Sequence, residues 1–333
     1  MSRKVTIQDV AREAGTSVST VSRVLTGSAP VTPDRRQTVE EAIQRLDFRP
    51  SHVARSLRTR ATLTVSLLIN DITNPFYSAI AKGVEQEAKA EGYSLILCNT
   101  DEDPEIELRY LWMMLDKQVD GIILGPTGAN EEVAAQLARR MPMVMVDRRL
   151  EDVPAAAVVA DNVGGAYRAV RMLIGRGHER IGLLTWRLSA STLAERQAGY
   201  ARALREAGLP FEPNLIREVA RPVPSEARRA VTEWLHGEAR PTALFALNNQ
   251  LGLGALAGIR DSGLNIPHDV ALVVFDDLDL FELTVPTITA VAQPAHLMGR
   301  RAMQFLKQRI ENPDLHLPEV AILPTELMLR DST

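Results

Sequence analysis

The 333-residue chain holds a single cysteine, Cys98, and only 5% of its residues are aromatic. One thiol cannot close an intramolecular disulfide, so packing alone must hold the fold. No apolar run approaches the roughly 20 residues that a membrane-spanning helix needs. The opening Met1-Ser2-Arg3-Lys4-Val5-Thr6 runs straight into an amphipathic pattern and lacks the apolar core of a secretory signal. His52, His178, His236, His268, His296 and His316 are scattered without zinc-ligand spacing. No Ser-His-Asp set or carboxylate pair stands out. These absences point to a cytoplasmic protein that needs no membrane, metal or cofactor.

What is present is ordinary in amount, 45% hydrophobic and 24% charged, but uneven in placement. Residues 1–60 carry 11 Lys+Arg against 6 Asp+Glu, a balance of +5, while the remainder carries 27 against 36, a balance of −9. A basic head on an acidic body suits a chain whose first segment alone meets phosphates.

In that head, Thr6 can cap a helix on which Ile7, Val10, Ala11 and Ala14 recur at helical spacing until Gly15. Ser17 caps a second, with Val21, Val24 and Leu25 as its apolar face and Gly27 as its stop. Thr32-Pro33 opens a third that runs to about Leu46, with Val39, Ala42, Ile43 and Leu46 inward. Two short helices joined by a tight glycine turn form a helix-turn-helix unit, whose second helix enters the major groove. Val18, Ser19 and Arg23 are its outward positions. Arg23 can fork onto guanine O6 and N7, and Val18 can meet a thymine methyl. Thr6, Thr20, Ser22, Thr32 and Arg35 lie near helix starts or on the flanking face, where phosphates are held. The competing reading is a three-helix protein-binding module with a solvated Arg23.

Val5-Thr6-Ile7-Gln8-Asp9-Val10-Ala11, Val18-Ser19-Thr20-Val21-Ser22-Arg23-Val24-Leu25 and Pro50-Ser51-His52-Val53-Ala54-Arg55-Ser56-Leu57 closely resemble the LacI/GalR repressors. The resemblance implies that residues 50–57 form a hinge helix which orders on the operator. Ser51, Val53, Ala54 and Leu57 would enter the minor groove, with Leu57 wedged into the central base step to bend the duplex. Ser51 stands where the family often has asparagine. Leu57 anchoring a linker onto the body is the alternative.

Beyond Ala61, short apolar strands alternate with helices about nine times. Residues 63–69, 94–98, 121–124, 143–146, 157–160, 181–184, 242–247 and 270–275 read as buried strands. Residues 75–91, 104–117, 131–140, 193–207, 225–236, 249–263 and 294–311 read as helices. Such alternation means parallel sheets covered on both faces, and about 270 residues suggest two α/β lobes. Ligands in these folds sit beyond the carboxyl ends of strands. The residues found there are polar: Asp71 and Asn74, Asp147-Arg148-Arg149, Asn248-Asn249, Asp276-Asp277 and Gln293. Such groups hold vicinal hydroxyls while Phe76 or Tyr77 covers an apolar sugar face. Any one of them could instead cap the following helix.

The body also resembles the periplasmic-binding-protein-like effector domain of LacI/GalR regulators. The implied architecture is an N-terminal all-α helix-turn-helix domain (1–49), a hinge and linker (50–60), and an α/β periplasmic-binding-protein-like (type I) effector and dimerisation domain of two Rossmann-like lobes (61–333). The N-lobe would hold 61–160 and 292–320, the C-lobe 161–291 and 321–333. The family's pocket carries over to Asp71, Asn74, Phe76, Asp147, Arg148, Arg196, Asn248, Asp276 and Gln293. Three departures stand out. Asn249 replaces the usual aspartate, Val274 takes a small-residue place, and Arg221 falls about where many members have a stacking aromatic. With Arg221 facing the cleft, the site would gain a cation and lose an aromatic lid, favouring an acidic or phosphorylated sugar over a neutral one.

Gly252-Leu253-Gly254-Ala255-Leu256-Ala257 loosely matches a dinucleotide fingerprint, yet the glycines come five residues after Leu247, inside a helix rather than at its start. A dehydrogenase is therefore disfavoured, and a periplasmic sugar carrier would lack the head. The expectation is a homodimeric repressor on a near-palindromic double-stranded operator, with effector binding coupled to lobe orientation and hinge order. No heptad segment follows residues 321–329 to build a tetramer.

Overall fold

The computed structural model describes residues 5–26, 29–48, 61–186, 190–237, 240–315 and 320–333. It divides into two compact units, Met1–Thr62 and Leu63–Thr333.

The first unit contains three helices, α1 (Ile7–Glu13), α2 (Val18–Thr26) and α3 (Pro33–Arg45). Each begins as the sequence predicts. Thr6 accepts from the Asp9 amide while Asp9 reaches back to the Thr6 amide (3.0 Å), closing a capping box. Ser17 Oγ accepts from the Thr20 amide at 3.2 Å. Thr32 precedes Pro33 at the first helical position, without a side-chain capping bond. Val10, Ala11, Val21, Val24, Val39 and Ala42 are buried together, with Ile7, Ala14, Leu25, Ile43 and Leu46 packed around them. The periodicity of all three helices thus resolves into one small core. The proposed hinge residues Ser51, Val53, Ala54 and Leu57 lie outside the described residues.

The second unit is built on two six-stranded sheets. The first is ordered β11-β5-β4-β3-β1-β2 and the second β12-β10-β9-β8-β6-β7. In the first, β1 (Thr64–Ile69), β2 (Ser94–Asn99), β3 (Gly121–Leu124), β4 (Met143–Val146), β5 (Ala156–Ala160) and β11 (Val320–Leu323) are all parallel. In the second, β6 (Ile181–Trp186), β7 (Ile216–Val219), β8 (Ala243–Ala246), β9 (Ala271–Phe275) and β10 (Thr289–Ala292) are parallel, and β12 (Glu326–Met328) closes the edge antiparallel. The central strands β3, β4, β8 and β9 are buried along their whole length, as continuous Val/Ile/Leu/Met/Phe runs require when helices cover both faces.

Helices start where a polar cap meets proline: Asn74-Pro75 opens α4 (Pro75–Ala90) and Asp103-Pro104 opens α5 (Pro104–Asp116). After α6 (Glu131–Ala138) come elements that the periodicity reading did not delimit: α7 (Asn162–Gly175), the five-residue α11 (Asp279–Leu283), and the strands β7, β10, β11 and β12. β7 reads Ile-Arg-Glu-Val, with two exposed charged residues, so it lacks the apolar run of a central strand. The other helices are α8 (Ser191–Glu206), α9 (Pro224–Leu235), α10 (Asn249–Asp261) and α12 (Ala295–Glu311).

One boundary needs correction. Residues 321–323 were assigned to the C-lobe, but β11 pairs with β5 from Val320↔Ala157 to Leu323↔Ala160 in the first sheet. The chain therefore makes its last crossing after Leu323, and only β12 joins the second sheet.

The Gly252–Ala257 motif lies inside α10, where Gly252 and Gly254 serve packing. A Cβ on Gly252 would overlap the Val274 side chain, and one on Gly254 would meet Ala227 and the Pro224 carbonyl. Val274, larger than expected at its place, fits because the facing helix position is glycine. No helix among the described residues is long and apolar enough to cross a membrane.

Candidate functional site

Within the first unit, Val18 (41% exposed), Ser19 and Arg23 project to solvent from α2, on the face opposite buried Val21 and Val24. Thr6 and Thr32 are exposed at their helix starts, and Ser22 is half-buried. Ser17 Oγ lies 2.8 Å from Ser19 Oγ and 2.9 Å from Thr20 Oγ1, which fixes the hydroxyls at the helix start. Thr20 and Arg35, from different helices, line one cavity of about 300 Å³ together with Thr16, Ser17 and Thr38. Hydroxyls around a guanidinium at a helix N-terminus suit an anionic oxygen.

In the second unit, the carboxyl ends of strands from both sheets converge on a narrow cleft with a free volume of about 60 Å³. Asp71, Asn74, Phe76, Asp147 and Arg148 line it from the first sheet's side; Arg196, Asn248 and Asp276 line it from the second's. Eight of the ten expected residues thus share one site. Gln293 stands behind it: its Nε2 donates to Asp276, and it lines a neighbouring cavity of about 580 Å³. The capping reading also holds for the asparagines, since Asn74 Oδ1 accepts from the Phe76 amide (3.1 Å) and Asn248 Oδ1 from the Leu251 amide (2.8 Å). Both asparagines cap and line the cleft at once.

Arg221 requires a correction. Its side chain is 77% exposed, its Nε donates to Glu226 Oε1 at 3.3 Å, and it lies outside the cleft. Its neighbour Pro222 faces inward instead. The family resemblance places Arg221 near the cleft, but Glu226 on α9 caps the amides of Ala220 and Arg221 and holds the guanidinium outside. The inference of an acidic ligand loses its third cation.

Residues that the sequence reading left out of the site are Glu102, Trp186, Thr192, Pro222 and Gln250, and Tyr77 joins Phe76 rather than replacing it. Trp186 ends β6, so the strand-end rule applied one strand earlier would have found it. The aromatic that seemed missing is therefore present. Phe76 and Tyr77 sit edge to face with centroids 5.1 Å apart.

Each arginine is already engaged. Arg148 donates twice to Glu102, from Nη2 to Oε1 (2.6 Å) and from Nη1 to Oε2 (2.8 Å), and Nη1 also reaches the Pro126 carbonyl (3.3 Å). Burial opposes its charge, but the Tyr77 and Glu102 oxygens outweigh that and hold its pKa above the ordinary arginine value. Arg196 donates from Nε to Asn162 Oδ1 (2.9 Å) and from Nη1 to the Leu247 carbonyl (2.6 Å). Its Nη2 lies 3.8 Å from Asp276 Oδ1, and its guanidinium lies 3.8 Å over the Phe275 ring.

Asp147 accepts from Tyr77 Oη at 3.0 Å. Burial pushes its carboxyl up to about 6, against the opposing pull of Arg148 and Arg196. Burial likewise raises Asp276. The two sides are clasped by a reciprocal amide pair: Asn249 Nδ2 donates to Asn74 Oδ1 (2.8 Å) and Asn74 Nδ2 to Asn249 Oδ1 (3.2 Å). An aspartate at 249 could accept from Asn74 but could not donate to it, which gives the departure a structural reason.

Two family models match. One, described as "Bacterial regulatory proteins, lacI family", covers residues 6–51; the other, "Periplasmic binding proteins and sugar binding domain of LacI family", covers residues 62–330. The chain belongs to the LacI family. It is 37% identical over 331 residues to catabolite control protein A of Priestia megaterium, with 99% of each chain covered. It is 35% identical over 329 residues to the HTH-type transcriptional repressor PurR of Vibrio atlanticus, with 98% of each covered. Among solved structures it is similar to the complex of the transcriptional regulator CelR with cellobiose, at a TM-score of 0.73 and 30% identity, covering 99% of this chain and 100% of the other. As a LacI-family member the chain is a transcriptional regulator with a DNA-binding helix-turn-helix and a sugar-binding type of domain, and not an enzyme.

Proposed function

We propose that this LacI-family regulator is a homodimeric repressor, which reads a near-palindromic operator through two heads and is controlled by a neutral sugar or similar polyol in the cleft. The observation that carries the effector class is the composition of the cleft. Aromatic faces from Phe76, Tyr77 and Trp186 stand beside Asp71, Asp147, Asn248 and Asp276, while both arginines are already held by protein acceptors. Acceptor-rich carboxylates and an aromatic wall suit vicinal hydroxyls on an apolar ring. The CelR neighbour, solved as a complex with cellobiose, supports the same class.

In the head, Val18, Ser19 and Arg23 take the base-reading role and Thr6, Thr20, Ser22, Thr32 and Arg35 the phosphate role. Ser51, Val53, Ala54 and Leu57 take the minor-groove role. Dimerisation follows from two-fold operator symmetry. It is supported by the apolar residues Leu280 (50%), Leu283 (79%) and Val285 (99%), whose exposure on one short stretch is costly in a monomer.

A thermal-shift panel of neutral sugars, sugar acids, sugar phosphates and purines tests the effector class, since a ligand of the folded state raises the melting temperature. A neutral sugar should do so and change Trp186 emission, with loss of the emission change in Trp186→Phe. Stabilisation by purines alone would overturn the assignment. For the head, Arg23→Ala should relax base preference while Arg35→Ala should mainly flatten the salt slope of operator binding.

A further inference from the structure

Four carboxylates line the cleft, those of Asp71, Glu102, Asp147 and Asp276, against the two guanidiniums of Arg148 and Arg196. Arg196 is held within the second lobe: it donates to Asn162 and the Leu247 carbonyl, pairs with Asp276 at 3.8 Å, and its face lies on Phe275. Arg148 is different. Its side chain is 5% exposed, its two Nη atoms are held by Glu102, and its Nε lies 3.7 Å from Asp147 Oδ2 without a hydrogen bond. Glu102 comes from the turn after β2, where Asp101 and Glu102 both adopt left-handed backbone angles (φ +54° and +58°). That turn delivers the carboxylate across to Arg148, and Asn70 Nδ2 steadies it at 3.1 Å from Oε2.

We propose that Glu102 is a specificity-determining residue: by occupying both arms of Arg148 it excludes phosphorylated and acidic ligands and reserves the cleft for uncharged ones. The inference deepens the effector reading above and rests on the cleft being the effector site. The physical case is one of competition. A planar guanidinium binds carboxylate and phosphate through the same two-pronged geometry, so a fork already filled from within cannot receive an anion from outside. An incoming phosphate would have to displace Glu102 while facing Asp71, Asp147 and Asp276 at close range in a poorly hydrated space. A neutral sugar needs no displacement. Glu102 acts here through Arg148, as a positioning residue.

Inorganic phosphate at constant ionic strength, titrated calorimetrically into the full-length protein, is the direct probe. The wild-type protein should show no phosphate binding that depends on Arg148. Glu102→Gln, which keeps the shape and the Asn70 contact but removes the charge, should gain phosphate affinity by roughly tenfold or more, the scale of a charge-assisted hydrogen bond. Glu102→Asp should stay unresponsive, and Glu102→Gln/Arg148→Met should lose the gain. Wild-type phosphate binding abolished by Arg148→Met would overturn the proposal, as would a Glu102→Gln gain that survives in the double variant. If Glu102→Gln fails to fold, the wild-type and Arg148→Met titrations decide alone. The neutral-sugar panel separates the two ideas: its failure removes the polyol reading, whereas the phosphate series reports only on how Arg148 is occupied.

Discussion

The two lobes of the second unit repeat one plan, and their difference lies in how each obtains its cation. β4 and β9 hold the same place in their sheets, and each ends in an aspartate with a left-handed backbone, Asp147 (φ +69°) and Asp276 (φ +73°). In the first lobe the arginine is the next residue, Arg148, balanced from a neighbouring turn by Glu102. In the second it arrives from α8, eighty positions before the aspartate, and is locked by the backbone of Leu247 and the side chain of Asn162. Both arginines line the cleft, but one is held by a backbone carbonyl and an amide and the other by a carboxylate.

That contrast can be broken experimentally. The largest effect should come from Arg196→Ala, which strands Asp276 and opens space beneath Phe275. A loss of about 3–5 kcal/mol in urea-measured stability is expected, as for breaking a buried ion pair. Arg148→Ala should cost less, because Glu102, its side chain 28% exposed, can turn to water and Asp147 keeps its bond from Tyr77. Equal costs would erase the distinction between the lobes.

Next in size is a pH effect at Asp147. Its folded-state value of about 6 exceeds the ordinary 3.8, so the folded protein holds this proton more tightly than the unfolded chain. The stability contribution is fully present below about pH 4 and is lost as pH rises through about 6. It is on the order of 3 kcal/mol for a shift of about two units. Asp147→Asn should flatten the stability profile between those values, leaving the part of the slope that comes from Asp276, which is raised in the same direction. An unchanged profile would show that Tyr77 and Arg148 already hold Asp147 ionised.

Asn249→Asp should cost about 1–3 kcal/mol, because a donor in a buried reciprocal pair becomes an acceptor facing the Asn74 oxygen. Asn249→Asp with Asn74→His at low pH would restore a donor and recover part of that loss. The smallest effect belongs to Arg221→Ala. An exposed pair with Glu226 is worth little, so stability should move by no more than about 0.5 kcal/mol and effector affinity should stay constant.

How much of this was legible beforehand varies with the kind of information involved. The three-helix core was readable residue by residue, because each helix is short, capped and periodic, and its apolar face has one partner surface. Most of the cleft was readable from one rule, that polar residues following buried strands converge. The rule fails where a contact distant in sequence redirects a side chain. Arg221, placed by the resemblance and not by that rule, is captured by Glu226. Gln293 follows β10 but is spent on Asp276. Glu102 enters the site from the polar turn after β2, a strand end to which the rule applies but which the selection passed over.

By itself the sequence determined the basic head, the alternation of strand and helix, and the aspartates that end β4 and β9, since these depend on local period and chain order. Only the tertiary structure decided the charge that the cleft presents. Whether a buried arginine is free or occupied depends on which carboxylate lies within about 3 Å of it, and chain separation does not encode that distance: Glu102 and Arg148 are 46 positions apart.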